Sequence, residues 1–357
     1  MKALLAAGGT GGHMFPAQSL SEELTRLGWD CAMITDGRGR KHAGRIKADP
    51  VIEVQAASIS PRRPIKALRG TMQLARGVRQ AKSFMRDWQP DVVIGFGGYP
   101  SFPALRAAES LNIPRVIHEQ NAVLGRVNRV FARKATIVAS GFDRLEKLPV
   151  RANHVVVGNP LRDAIIRSVS RSVPKTSSHI NILAVGGSLG ANILSDVVPE
   201  AIAALPEPIR MRLRLTQQVT ESRLDAARAV YERIGAHANL ATFFTDIEDH
   251  LAKADLIIAR AGASSVSEIA LMGKPSILIP LAIAMDDHQT ANARALESLG
   301  AAKIVPESEF TVARLSKLLS EILNDQDWLD QAGRNAKKLA RPDAARDLAA
   351  LVVSAAG

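Results

Sequence analysis

Twice in this chain a short apolar run leads into a glycine-rich turn. Residues 2–7 run into Gly8, Gly9, Thr10, Gly11, Gly12 and His13; half a chain later, residues 179–185 run into Gly186, Gly187, Ser188, Leu189, Gly190 and Ala191. A turn of this kind, opening a helix, presents backbone N–H groups where the helix dipole favours a phosphate or another anion. His13 adds an imidazole that can accept a proton near neutral pH, or simply hydrogen-bond at a helix start. The first turn is not a dinucleotide fingerprint: after Gly9 and Gly11 the third glycine position holds Met14. Asp36 ends the second strand pattern, where an NAD site would place its ribose-binding acid, so a dehydrogenase stands as a rival.

Further polar groups gather where strand patterns end. Gly95, Gly97, Gly98, Tyr99 and Ser101 follow one apolar run, and His118, Glu119, Gln120 and Asn121 follow another. The first is a second anion-friendly loop or a ligand-free tight turn. The second is a polar cluster unsuited to a core, or a helix cap through Asn121. Residues 255–258 run into Arg260, Gly262, Ala263, Ser264, Ser265, Val266, Ser267 and Glu268. Here a helix start could bind phosphate while Glu268 accepts ribose hydroxyls. The alternative is a capping box from Ser265 to Glu268. Asp286, Asp287 and His288 invite a metal reading, but adjacent helical residues point in different directions and no second ligand cluster joins them, so no metal site is expected.

Positioning these groups requires strands alternating with helices. Strand patterns fall at residues 3–7, 30–35, 91–94, 115–118 and 135–138, and again at 180–185, 211–215, 240–244, 255–259 and 276–279, with a helix from about Pro16 to Leu27. Such alternation implies α/β architecture with parallel sheets buried on both faces and ligands beyond the carboxyl ends of the strands. A junction is expected near residues 158–178, giving an N-terminal domain over 1–160 and a C-terminal domain over 161–342. A helix over about 343–357, after a break at Arg341, Pro342 and Asp343, could pack back on the first domain.

At 357 residues two domains are the natural expectation, and 46% hydrophobic against 23% charged residues marks a globular chain. Aromatic residues make up only 4%, which argues against base-stacking platforms and against a nucleic-acid partner. Cys31 is the only cysteine, so no disulfide forms within the chain and a reducing compartment is expected. Neither a signal peptide nor a membrane span is readable. The formal charge of +11 is uneven: residues 1–160 carry 24 basic and 12 acidic side chains, the rest 22 and 23. Residues 61–86 hold eight basic side chains and no acid, with Ile65, Leu68, Met72, Ala75 and Val78 at helical spacing and Phe84, Met85 and Trp88 beyond. This reads as a basic amphipathic helix able to lie on an anionic membrane surface, with a core-facing stripe as the alternative.

Taken in order, the turns at 8–13, 97–99, 118–121, 158–162, 186–191 and 263–268, with Gln289, Asn292 and Ala293, resemble the MurG family of peptidoglycan glycosyltransferases over nearly the whole chain. The resemblance implies a GT-B fold, two Rossmann-like domains facing a cleft. It implies inverting, metal-independent transfer of N-acetylglucosamine (GlcNAc) from UDP-GlcNAc to O4 of the undecaprenyl-pyrophosphoryl-N-acetylmuramoyl-pentapeptide lipid I, forming lipid II, with no cofactor. The implied location is the cytoplasmic face of the bacterial inner membrane, as a peripheral protein. Thr10, Gly11, Gly12, Asn121, Arg162, Ser188, Ile247, Ala263, Ser264, Ser265, Val266, Ser267, Glu268 and Gln289 would contact the donor. Ser188 would meet its phosphates, Ile247 the uracil, Glu268 the ribose and Gln289 the GlcNAc hydroxyls. Gly97, Gly98 and Tyr99 would face the acceptor pyrophosphate. His13 would be the general base, with Glu119 as its alternative. His288 is a departure, at a position where many members of the family have a second glutamine. A diacylglycerol glycosyltransferase and a UDP-GlcNAc epimerase are rivals within the fold; from other classes, the NAD-dependent dehydrogenase and a nucleic-acid binder acting through residues 61–86 remain.

Overall fold

The structure, a computed structural model, describes all residues except 10, 41–43, 45, 57–63, 172–178 and 188–189, and only the backbone of 64–68, 171 and 285. The chain forms two compact units, residues 1–162 with 341–357 and residues 163–340.

In unit 1, β1 (Lys2–Ala6), α1 (Gly11–Arg26), β2 (Asp30–Thr35), β3 (Val51–Glu53), α2 (Pro64–Trp88), β4 (Val92–Gly95), α3 (Ser101–Ser110), β5 (Arg115–Glu119), β6 (Ile137–Ser140) and β7 (His154–Val156) build a parallel sheet of order β3-β2-β1-β4-β5-β6-β7. The register sets Leu5 beside Met33 on one side and Ile94 on the other. β1 reads as an unbroken apolar run because both of its faces are covered. Leu4 and Ala6 meet Ala81 and Met85 of α2 and Ala104, Leu105 and Ala108 of α3. Ala3 and Leu5 meet Met14, Ala17, Leu20 and Leu24 of α1.

α1 begins five residues before the expected start at Pro16, so that Gly11, Gly12 and His13 form its first turn. Proline lacks the N–H that would reach the Gly12 carbonyl, a single lost bond near the helix start, which α1 tolerates. The apolar stripe of α2 also differs from expectation. Leu74, Ala81 and Met85 are buried and Val78, Phe84 and Trp88 pack on the sheet, whereas Met72 and Ala75 are exposed. The stripe faces the core, and Arg69, Arg76, Arg79 and Arg86 face solvent.

In unit 2, β8 (Ile180–Val185), α4 (Asn192–Ala203), β9 (Leu213–Gln218), β10 (His237–Ala241), β11 (Leu256–Ala259), α5 (Ala263–Met272), β12 (Ser276–Leu278), α6 (His288–Glu297) and β13 (Ala302–Ile304) form a second parallel sheet, of order β10-β9-β8-β11-β12-β13. Ile182, Ala184 and Ile258 pack with Leu194, Val198 and Ile202 of α4 and with Leu315 and Leu319 of a following helix. The chain then returns to unit 1, where α7 (Ala344–Ala356) buries Leu348, Ala349 and Val352 beside Leu5 and Ile94. No helix among the described residues is long and apolar enough to cross a membrane.

Candidate active site

In each sheet the strand order reverses once, between β1 and β4 in unit 1 and between β8 and β11 in unit 2. At such a point successive loops leave the carboxyl ends in opposite directions and open a crevice, the usual ligand position in parallel α/β sheets. The glycine turns occupy those two places.

In unit 1 the turn after β1 meets the turn after β4. Gly97 and Gly98 both have left-handed backbones, with φ of 85° and 74°. A Cβ on Gly97 would lie 3.2 Å from Asn128 Nδ2 and 3.5 Å from His13 Cε1; one on Gly98 would lie 3.5 Å from His13 Cδ2. Only glycine takes this backbone without strain, and at Gly97 it also leaves room for the Asn128 amide. The Ser101 hydroxyl sits 2.7 Å from the Ala6 carbonyl and 2.6 Å from that of Gly97, tying the turn to the end of β1. Tyr99 is half-buried beside it.

His13 Nδ1 lies 3.0 Å from Gln120 Oε1. Gln120 Nε2 lies 3.0 Å from His118 Nδ1 and donates to the His118 carbonyl at 3.1 Å. His118 is fully buried, with its Nε2 3.0 Å from the Gly158 carbonyl. Burial pushes its pKa down to about 4, the Gly158 contact opposing only part of that shift.

Glu119 does different work. Its Oε1 accepts from the backbone N–H and Nδ2 of Asn121, at 3.1 and 3.2 Å, and its Oε2 from Gly125 N–H and Asn128 Nδ2, both at 2.8 Å. A carboxylate 2% exposed and holding four donors shapes the 121–128 loop and has no lone pair left for a substrate proton. Asn121 caps no helix: the next one, Arg126–Phe131, starts from Gly125. Asp36 is likewise engaged, its Oδ1 accepting from Gly9 and Gly39 N–H at 3.2 and 2.9 Å, which binds the first cradle to β2 and removes the acid that the dehydrogenase reading needed. The Arg162 guanidinium lies over the Phe15 ring of α1, 5.1 Å from its centroid. Gly11 is buried and Gly12 exposed in the first turn of α1. Thr10 lies outside the described residues.

In unit 2, β8 and β11 are hydrogen-bonded neighbours with Val185 opposite Ala259. Each leads to a helix whose N-cap supplies no side-chain hydrogen bond: Ala191 before α4, Gly262 before α5. Gly186 is held too closely for any side chain, since a Cβ would stand 2.4 Å from Ala191 N. Its own N–H donates to Gln218 Oε1 at 3.1 Å. Ser188 lies outside the described residues. The Ser265 to Glu268 capping box does not form, because Gly262 is the N-cap and Ser265 already stands in the first turn. Helical spacing puts Ser264, Ser265 and Glu268 on one face, all half-buried, with Ser267 also half-buried. The Val266 side chain is fully buried in the core and the Ala263 side chain nearly so, so only their backbones can meet a ligand. Ile247 opens a short helix, half-exposed, six residues after β10, which ends at Ala241 and not at Phe244 as expected.

Gln289, in the first turn of α6, accepts from Leu281 N–H through Oε1 at 3.0 Å, leaving its amide nitrogen to donate elsewhere. Asn292, fully buried, donates to the Ala261 carbonyl at 3.1 Å and joins α6 to the turn before α5. Asp286 and Asp287 both have left-handed backbones at the entry to α6. Among the described residues no three His, Cys, Asp or Glu side chains come together as a metal site. Asn128 is not named from sequence; His118, Gln120 and Asn292 are named only as members of polar clusters or of the family resemblance, with no role of their own.

Two family models match the chain: the glycosyltransferase family 28 N-terminal domain over residues 3–140 and the glycosyltransferase family 28 C-terminal domain over residues 181–348. A UDP-N-acetylglucosamine--N-acetylmuramyl-(pentapeptide) pyrophosphoryl-undecaprenol N-acetylglucosamine transferase of Maricaulis maris is 48% identical, the match covering 98% of this chain and 96% of the relative. The protein of the same name from Rhodospirillum centenum is 44% identical over 99% of this chain and 94% of its own length. Among solved structures, MurG of Acinetobacter baumannii superposes with a TM-score of 0.82 at 31% identity, covering 99% of both chains. With two GT-B-like parallel-sheet units and full-length relatives at this identity, the chain belongs to the MurG family of glycosyltransferases.

Proposed function

We propose that this enzyme transfers GlcNAc from UDP-GlcNAc to O4 of the N-acetylmuramoyl residue of lipid I, forming lipid II with inversion at the sugar C1 and without a metal. The observation that carries the nucleotide-sugar reading is the pair of adjacent helix N-termini, at α4 and α5, lacking side-chain caps and followed one turn later by Glu268. Backbone N–H groups there suit a diphosphate, and they would stabilise the charge that grows on UDP as it leaves, the task a metal performs in other transferases. A carboxylate on the same helix face suits the two ribose hydroxyls. The lipid acceptor rests on family membership.

In this reading unit 2 holds the donor. Ala263, Ser264, Ser265, Val266 and Ser267 surround the nucleotide, Ala263 and Val266 through backbone; Ser188 meets the phosphates, Ile247 the uracil and Gln289 the sugar through its amide N–H. Thr10, Gly11, Gly12, Asn121 and Arg162 supply donor contacts from unit 1. His13 removes the O4 proton as O4 attacks C1, and Gly97, Gly98 and Tyr99 receive the acceptor pyrophosphate. Glu119, saturated by four donors, keeps the loop beside His13 in shape. The exposed arginines of α2 meet an anionic membrane surface, with the protein peripheral on the cytoplasmic face, where a lipid-linked acceptor lies.

The test is transfer of labelled GlcNAc from UDP-GlcNAc to a lipid I analogue by the purified protein, the product's anomeric configuration read by NMR. A β-linked disaccharide formed in the presence of a chelator is the expected result. No transfer to lipid I alongside transfer to diacylglycerol, or hydrolysis or epimerisation of UDP-GlcNAc alone, would overturn the reading.

A further inference from the structure

The contacts around Gln120 decide which nitrogen of His13 carries a proton. Gln120 spans two histidines, and the direction of its amide is set by acceptor-only groups. The Gly158 carbonyl, 3.0 Å from His118 Nε2, can only accept, so Nε2 of His118 bears hydrogen. In a neutral ring Nδ1 of His118 is then a lone pair. The neutral form is the one this site favours, since the ring is fully buried and, among the described residues, it pairs with no carboxylate: it meets Gln120, the Gly158 carbonyl and the Phe96 ring, 5.9 Å away between centroids.

The His118 backbone carbonyl, 3.1 Å from the same end of Gln120, is a second acceptor-only group. Reversing the amide would set two oxygens against each other there and aim a carbonyl at a lone pair on Nδ1. The NH₂ end of Gln120 therefore points to His118 and its Oε1 points to His13. An amide oxygen can only accept, so the nitrogen it meets, Nδ1 of His13, is the protonated one.

Both ends of this chain are held. The Gln120 carbonyl receives Asn159 Nδ2 at 3.0 Å, and Gly158 packs against the Arg341 side chain of the returning segment. On the other side Gly97 and Gly98 flank the His13 ring.

We propose that Gln120, oriented by His118 and the Gly158 carbonyl, is a positioning residue that holds His13 as the Nδ1–H tautomer and so keeps Nε2 as the atom that accepts the acceptor's proton. The catalytic half rests on the assignment of His13 as the base; the tautomer does not. In water a histidine side chain prefers hydrogen on Nε2, the wrong nitrogen for a base whose Nδ1 faces the protein. The relay performs the orienting task that a carboxylate performs in many histidine-based sites, with a neutral amide in its place.

The experiment is long-range ¹H–¹⁵N correlation of the imidazoles in the full-length protein, with the His13 signals assigned by their loss in His13→Ala. Wild type is expected to show Nδ1–H at His13. Gln120→Leu should move His13 towards Nε2–H and lower kcat about 10- to 100-fold with KM for UDP-GlcNAc unchanged. Gln120→Glu keeps an oxygen facing Nδ1 and should retain the wild-type tautomer. An Nε2–H signal in wild type, or a tautomer indifferent to Gln120→Leu, overturns the proposal, and the wild-type spectrum needs no variant to fold. An Nδ1–H tautomer that depends on Gln120 together with full activity in His13→Ala would leave the relay standing and remove the base assignment instead.

Discussion

Arg260 and Glu307, 47 residues apart in sequence, meet through two parallel hydrogen bonds, Nη1 to Oε2 at 3.0 Å and Nη2 to Oε1 at 3.1 Å. The pair suspends the strap between β12 and α6. Arg260 Nη1 also reaches the Ile279 carbonyl at 3.2 Å, and Glu307 Oε2 accepts from Ala282 N–H at 3.0 Å. Arg260 is 8% exposed, and its guanidinium holds the Glu307 carboxyl below the usual carboxylate range, with the Ala282 N–H adding to the effect.

Glu307→Gln keeps a hydrogen-bonding side chain but leaves the Arg260 charge with neutral acceptors only, a loss of about 1–3 kcal/mol for a pair buried at Arg260 and partly exposed at Glu307. Hydrogen exchange should show the amides of Leu281 and Ala282 losing protection. Because Leu281 also positions Gln289, KM for UDP-GlcNAc should rise with little change in kcat. Unaltered protection of those amides would count against the strap's dependence on this pair.

His118 predicts an acid-sensitive step in stability. Its folded pKa, about 4, lies below the ordinary 6.5, so between those values the unfolded chain binds a proton that the folded ring refuses. Its contribution is complete above about pH 6.5 and is lost as pH falls towards 4, on the order of 3 kcal/mol at most. In His118→Asn the fall of the thermal midpoint between pH 6.5 and 4 should be shallower than in wild type. Parallel curves would sink the assignment.

Gly186→Ala tests the phosphate cradle of unit 2. A methyl group 2.4 Å from Ala191 N must displace the start of α4. Calorimetry should show UDP binding weakened tenfold or more, while the signals of His13 and His118 in unit 1 stay where they were. Unchanged UDP affinity would remove the α4 N-terminus from the donor site.

Membrane association should depend on the outward face of α2. Reversing Arg69, Arg76, Arg79 and Arg86 to Glu touches no buried side chain, so the thermal midpoint should hold to within a few degrees. Co-sedimentation with vesicles containing phosphatidylglycerol should fall at least tenfold, and wild-type binding should weaken with added salt. Equal binding of both proteins would place the contact elsewhere.

The sheets were legible because central parallel strands such as β1 and β4 are apolar runs that lead into glycine. β3 and β13 escaped notice: each is three residues at a sheet edge, and neither is fully buried. Pro16 marked the wrong helix start: it is the sixth residue of α1, where proline is uncommon and the bond to the Gly12 carbonyl is given up. Spacing leaves Glu268 open between a capping box with Ser265 and a ribose contact, and only the structure, by making Gly262 the N-cap, removes the first. The glycine turns mark the carboxyl ends of strands in the sequence, but the His13–Gln120 contact joins residues 107 apart, and no local spacing reports it. The Arg260–Glu307 pair, 47 residues apart, is hidden in the same way, whereas the donors on Glu119 all lie within nine residues of it and are hidden by the irregular path of the 121–128 loop.

The return of α7 to unit 1 fixes the order in which the chain can mature. A polypeptide emerging from the ribosome can complete unit 2 as soon as residue 340 is out, because all of its core lies between 163 and 340. Unit 1 cannot, although its strands were made first: the face carrying Ala3, Leu5, Val92 and Ile94 waits for Leu348, Ala349 and Val352. Every nascent chain therefore carries part of that apolar face uncovered until α7 emerges, and a product that stops short of α7 keeps it uncovered beside α1.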